Sequence, residues 1–310
     1  MQTVISPTRW YDRPLAAFIF FTRLPFWRLR QPPKECYRSV VEWWPLTGWL
    51  TGGLMAATLY LGSLYLPYVI AVLSAVVIRL LVTGALHEDG LADFFDGFGG
   101  GGSDCERILA IMKDSHIGTY GVISLVLYEL LLIATLLSMP PATAALTILA
   151  ATPFARMVTA QLVMMMPYAR REDEAKSKTV YRKPTTAAGI SLAVQGLLPM
   201  VAYIWYTGIR WEMLIFIPCL VMYFLYLLIW RRLRGYTGDC CGAVCLLVEL
   251  AVYLVVCAQN ISLTSHFSPF YEENHHDNWR PALGQEREGR RTGIAAQSES
   301  RLHRHGPCMG

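Results

Sequence analysis

The sequence predicts an all-α polytopic membrane protein of about seven transmembrane helices followed by a disordered C-terminal tail. Three observations carry this. Of 310 residues, 54% are hydrophobic and only 16% charged, where a soluble domain carries about 25% charged residues. Apolar runs approaching the ~20 residues needed to cross a bilayer recur along the chain. Basic residues collect in alternate loops, as in a multi-span protein with a fixed orientation.

Residues 1–45 read as a segment lying in the membrane interface. Leu15 to Phe21 is apolar but far too short to span. Aromatics and arginines interleave through Phe26, Trp27, Arg28 and Arg30, with Trp43 and Trp44 behind them. Met1–Trp10 holds no signal-peptide core, so the first spans are expected to direct insertion. A transmembrane domain over 46–262 follows, with spans predicted at Leu46–Leu66, Tyr68–Leu86, Ile117–Met139, Ala142–Met166, Gly189–Thr207, Met213–Trp230 and Cys240–Ser262. Pro67 and Pro140-Pro141 leave very short turns, which predicts antiparallel hairpins. With seven spans, eighteen Lys and Arg fall on the N-terminal side of the membrane, while the loops of the other side hold only Arg210 and the long tail beyond the last span, which escapes the charge rule, holds six arginines. The positive-inside rule makes the basic side cytoplasmic. Eight cysteines show no paired metal-type spacing, and Cys240, Cys241, Cys245 and Cys257 sit in or beside an apolar run as small hydrophobes. Residues 263–310 lack apolar periodicity and are expected to be disordered, His275, His276, His303 and His305 included. No repeat is evident, and the basic loops are too short for a nucleic-acid platform.

The chemistry concentrates in His87-Glu88-Asp89-Gly90-Leu91-Ala92-Asp93-Phe94-Phe95-Asp96-Gly97. At about 100° per residue, Asp89, Asp93 and Asp96 share a helix sector of roughly 60°. Like charges so placed repel unless a cation sits among them, and hard oxygen donors without cysteine point to Mg²⁺ or Mn²⁺. Mg²⁺ usually binds one or two carboxylates plus substrate phosphates, which makes phosphate chemistry the first expectation. His87 points some ~160° from Asp89 on an unbroken helix, off the acidic face. Gly97–Gly102 is expected to break the helix, and the run Gly99–Gly102 to leave backbone N–H groups open to an anion. Ser103 with Glu106 reads as a capping box for a short helix with Ile108, Ile111 and Met112 as its apolar face. It leads into Met112-Lys113-Asp114-Ser115-His116-Ile117-Gly118-Thr119-Tyr120-Gly121. Arg79, Arg156 and Glu249 lie inside spans, where a charge faces a cavity or a partner. Arg79 either snorkels or finds such a partner, Arg156 is expected to meet a phosphate or carboxylate, and Glu249 a neighbouring helix. Arg234–Ala243 repeats the pattern of glycines and a carboxylate at a cytoplasmic span end.

Together these stretches, with Phe21-Thr22-Arg23-Leu24-Pro25, Tyr168-Ala169-Arg170 and Thr237-Gly238-Asp239 followed by Gly242-Ala243, resemble the cobalamin synthase family, the adenosylcobinamide-GDP ribazoletransferases. The resemblance covers residues 18 to about 262. It implies a bacterial inner-membrane enzyme whose active site faces the cytoplasm and uses Mg²⁺. It also implies that the 3′-hydroxyl of α-ribazole, or of its 5′-phosphate, attacks the phosphorus on the cobinamide arm of adenosylcobinamide-GDP and expels GMP. On that basis Asp89, Asp93 and Asp96 are expected to hold the metal. Asp114 or Asp239 completes its shell or takes the hydroxyl proton, with His87 or His116 as alternative bases. Lys113, Arg156 and Arg170 are expected at phosphates. A groove between spans, open to the cytoplasm and lined by surface aromatics, suits the corrinoid. Two rivals share parts of the pattern. CDP-alcohol phosphotransferases also use membrane aspartates and a divalent metal, but Asp96-Gly97 is followed here by Phe98 and glycines, and Asp114 has no Asp at 118. A transporter places its cation site near the midplane, often in repeated halves.

Overall fold

The computed structural model describes residues 9–169 and 181–267, and among them every regular element is helical. The order is α1 (Asp12–Phe21), two 3-10 turns over 26–28 and 34–43, α2 (Trp44–Ser63), α3 (Tyr68–Thr83), α4 (Leu86–Gly100), α5 (Cys105–Lys113), α6 (Thr119–Leu137), α7 (Pro141–Met165), α8 (Thr186–Thr207), α9 (Trp211–Leu233) and α10 (Gly238–Phe267). Helices α6 to α10 are long and apolar enough to cross a membrane, and α3 with α4 adds a sixth crossing if the bent pair is one span. Helices α7 and α10 are mostly buried, while α6, α8 and α9 present mostly exposed faces. Beyond Phe267 the predicted tail lies outside the described residues.

The first predicted span, Leu46–Leu66, corresponds to α2. At 20 residues it has the length, but its glycines and threonines lower its apolarity. Those small residues pack against α7. A Cβ at Gly48 would stand 2.9 Å from the Pro153 Cα, and one at Gly52 2.9 Å from the Thr152 Cβ. Gly48 and Gly52 thus form a small-x-x-x-small seam that brings two backbones together, a device of membrane helix pairs.

The second predicted span also differs. It ends at Thr83, and α4 departs at 87° to α3. The break falls at Gly84 and Ala85, both left-handed with φ of 66° and 54°, not at the later glycine run. Ala85 accepts a conformation costing an L-residue roughly 1–2 kcal/mol. The Arg23 side chain packs where a Gly84 Cβ would sit, and the Arg23 N–H donates to the Val82 carbonyl at 2.7 Å. Phe21-Thr22-Arg23-Leu24-Pro25 therefore seals the bend. The interfacial segment is tied down in turn by buried Asp12, which pairs with Arg30 Nε at 2.7 Å.

Gly97 to Gly100 stay helical, contrary to the expected break, because α5 folds back on them. A Cβ at Gly97 would stand 2.5 Å from Met112 Cγ, and Gly101 faces Ile108. The glycines make room for α5, whose buried residues are Ile108 and Met112, instead of cradling an anion. The cap of α5 is Asp104, one residue after the expected Ser103: its carboxylate accepts from the Glu106 and Arg107 N–H groups.

Candidate active site

Helices α4 and α10 meet at two glycines. A Cβ on Gly90 would lie 3.1 Å from the Asp239 Cα, and one on Gly242 would lie 3.2 Å from the His87 carbonyl oxygen. Both distances are tighter than ordinary van der Waals contact, so any side chain here makes the neighbouring backbone give by a few tenths of an ångström; the larger, branched Gly90→Val should push the helices apart and lower both yield and activity, read by membrane expression and turnover. The crossing sets His87 and Asp89 of α4 and Gly238, Asp239 and Gly242 of α10 around one cavity of about 330 Å³. Asp239 occupies the first turn of α10, where a carboxylate meets the positive end of the helix. Thr237 just before it accepts the Cys240 N–H at 3.2 Å.

Five aromatic residues make up much of the remaining wall, with Val41, Leu86, Val163 and Cys241 completing it. Phe20, Phe21 and Trp44 line it with Tyr168 and Tyr181. The rings of Phe21, Trp44 and His87 lie parallel within 9° at centroid spacings of 5.2 to 6.4 Å. Tyr168 is placed by a bridge to Tyr236, with Tyr236 N–H to the Pro167 carbonyl at 3.0 Å and Ala169 N–H to the Tyr236 carbonyl at 2.9 Å. A Cβ at Gly235 would strike the Pro167 oxygen at 2.7 Å, so this turn needs glycine. The Tyr168-Ala169 and Thr237-Gly238-Asp239 stretches, far apart in sequence, are adjacent here.

Arg79 fixes the α4 end of the site. Buried on α3, it pairs with Glu88 at 2.9 Å, donates to the Tyr128 hydroxyl at 2.9 Å and reaches Glu129 at 3.2 Å. It therefore has partners and does not snorkel. One guanidinium ties both sides of the 87° bend to α6, next to Asp89.

The other expected site residues that the structure describes do not line the cavity. Asp96 is buried, and its two oxygens accept the Gly118 N–H at 2.6 Å and the Gly121 N–H at 2.8 Å. A Cβ on either glycine would collide with that carboxylate. Asp96 thus caps the N-terminus of α6, satisfying N–H groups that the helix cannot bond internally. Asp96→Asn should cost about 1.5–3 kcal/mol of stability for the charged hydrogen bonds lost, seen in thermal unfolding, and leave the metal dependence of activity unchanged. Asp93 is half-buried, one turn beyond Asp89, and does not line the cavity. Among the described residues, no three His, Cys, Asp or Glu side chains are grouped closely enough to hold a metal by themselves. An ion taking part of its shell from substrate phosphates needs only one or two carboxylates, and Asp89 with Asp93 suits that donor set.

Lys113 is exposed at the end of α5. Asp114 and His116 are exposed on the following loop and bond each other at 2.7 Å. That hydrogen bond raises the His116 pKa above the ordinary histidine value and holds the Asp114 carboxyl below its usual range. The raised value leaves less neutral imidazole at pH 7 to accept a proton. The pair is fully charged between the two pKa values; it is lost as pH falls through that of Asp114 or rises through that of His116. An NMR titration should place His116 above the ordinary value, and Asp114→Asn should return it there. Arg156 is buried and donates to the Thr152 carbonyl and the Thr51 hydroxyl, at 2.9 and 3.2 Å. It lies between α2 and α7, and among the described residues no carboxylate pairs with it, which leaves a phosphate as the expected partner. Glu249 accepts from Thr152 on α7 at 2.6 Å and from Tyr253 at 2.8 Å, the expected bond to a neighbouring helix. Arg170 lies outside the described residues.

A model of the cobalamin-5-phosphate synthase family matches residues 13–257. The adenosylcobinamide-GDP ribazoletransferase of Shewanella frigidimarina (strain NCIMB 400) is 36% identical over 249 residues, covering 79% of this chain and 94% of that protein. The one from Vibrio parahaemolyticus serotype O3:K6 is 35% identical over 252 residues, covering 80% and 93%. No solved structure matches. With four-fifths of its length aligned and the matched range spanning every helix from α1 into α10, the chain belongs to the cobalamin-5-phosphate synthase family.

Proposed function

We propose that this chain is an adenosylcobinamide-GDP ribazoletransferase that joins α-ribazole, or its 5′-phosphate, to adenosylcobinamide-GDP. The products are adenosylcobalamin, or its 5′-phosphate, and GMP, in a late step of nucleotide-loop assembly. The observation that carries the chemistry is the α4–α10 crossing, which sets Asp89 and Asp239 on one aromatic-walled cavity. The ribazole 3′-oxygen forms a bond to the phosphorus on the cobinamide arm, the bond from that phosphorus to the bridging oxygen breaks, and GMP leaves with that oxygen. Asp239 takes the hydroxyl proton, the role an aspartate plays in kinases. Asp89 and Asp93, one turn apart on α4, hold Mg²⁺. The ion would neutralise the charge developing on the diphosphate. Asp96 stays with α6, and Arg79 holds Glu88 so that Asp89 keeps its place.

Counting α2 and the bent α3–α4 pair with α6 to α10 gives seven spans. The basic loops then share one side, the cytoplasm of a bacterial inner membrane, and the exposed apolar faces of α6, α8 and α9 meet lipid. The test is GMP release by the full chain in liposomes with Mg²⁺. Release from adenosylcobinamide-GDP plus α-ribazole, with no CMP from CDP-diacylglycerol, is expected. CMP release, or cation-driven solute uptake without product, would sink this reading in favour of a lipid phosphotransferase or a transporter.

A further inference from the structure

We infer that the aromatic cavity takes the flat base of the smaller substrate, a benzimidazole-type bicycle, and that the corrinoid and the guanine bind outside it. This rests on the transferase reading above. At about 330 Å³ the cavity is at the small end for ligand pockets. It suits a two-ring base with part of its sugar and is too small for a corrin macrocycle. Its walls fit a planar guest: Phe21, Trp44 and His87 already lie parallel, and Phe20 stands edge-on to Tyr181 at 6.0 Å.

Two residues of the lining each hold a buried ring nitrogen with no hydrogen-bond partner among the described residues, Trp44 Nε1 and His87 Nε2, both closed off from the empty cavity. Their residues are only 2% and 3% exposed. An indole N–H donates and never accepts, so what it lacks is an acceptor. A benzimidazole attached through one nitrogen offers one ring-nitrogen acceptor and an otherwise apolar rim, which these walls satisfy. Guanine carries donors and acceptors around most of its edge, and against the aromatic side of this cavity, away from Asp89 and Asp239, several would go unpaired. A base in this cavity keeps its ribose towards Asp89 and Asp239, where the 3′-hydroxyl reacts.

The test separates the two substrates. Trp44→Phe keeps a ring and removes the N–H; Phe20→Leu removes an edge contact from a partly exposed residue. In the full chain in nanodiscs, each variant should raise KM for α-ribazole about three- to ten-fold, the size of a lost hydrogen bond or ring contact. Neither should move KM for adenosylcobinamide-GDP or kcat by more than about two-fold. Equilibrium dialysis of radiolabelled α-ribazole without the second substrate should show the same loss. A rise in KM for adenosylcobinamide-GDP instead, or no change in either KM, would overturn the assignment. Wild-type protein that releases no GMP contradicts the transferase reading; active wild-type protein with the wrong KM displaced contradicts the cavity assignment alone.

Discussion

Asp89→Asn is expected to lower GMP release by about 10³-fold at saturating substrates, the scale of losing one preorganised charge at a reacting phosphoryl group. Asp89 is exposed into the cavity and, among the described residues, belongs to no ion pair that stabilises the bundle, so membrane insertion and thermal stability should stay near wild type. Asp239→Asn should cost 10²- to 10⁴-fold by removing the proton acceptor. The double variant should be little worse than the slower single one, because residues acting as a unit do not add. Single-turnover release of labelled GMP reads all three. If Asp89→Asn loses activity only in proportion to lost folded protein, the residue is structural and the site lies elsewhere.

Arg79→Met is the change with the largest expected effect on stability. It leaves Glu88 buried on α4 without its guanidinium, and breaking a buried pair by removing one partner costs about 3–5 kcal/mol. Tyr128 loses its donor at the same time. Folded yield and thermal unfolding in detergent should both fall sharply. Arg79→Met with Glu88→Met removes both charges together and should recover most of the loss, because a well-packed apolar pair often replaces a buried ion pair without penalty. Glu129→Gln should cost far less, since its side chain is 25% exposed and reaches Arg79 at the longer 3.2 Å. Equal stability of the single and double variants would show that the network does not hold the bend.

Much of this was legible in the sequence because helices across a membrane follow simple rules. Apolar runs located the spans from α6 to α10 to within a few residues, since length and hydropathy alone decide them. The acidic string on α4 and the second carboxylate at Asp239 were also visible as chemistry. Their pairing was not. It depends on Gly90 and Gly242 touching across 150 residues, and a lone glycine does not announce which backbone it admits. Asp96 has the same residue type and helical face as Asp89, so spacing alone groups them; what separates them is that Gly118 and Gly121 bring the α6 N-terminus onto one and not the other. The bend before α4 escaped notice because Ala85 gives no sign that it will adopt a left-handed conformation. The aromatic wall is dispersed in sequence as Phe20 and Phe21 on α1, Trp44 on α2 and Tyr181 before α8; of these only Trp44 reads as an interfacial anchor, and nothing local says that the four share a cavity.

The most direct test of the account is the Mn²⁺ electron paramagnetic resonance spectrum of the full chain in nanodiscs with adenosylcobinamide-GDP. The expected result is bound Mn²⁺ in wild type, Asp96→Asn and Asp239→Asn, and none in Asp89→Asn, with turnover lost in the Asp239 variant although its ion remains. Loss of the ion in Asp96→Asn, with retention in Asp89→Asn, would contradict it.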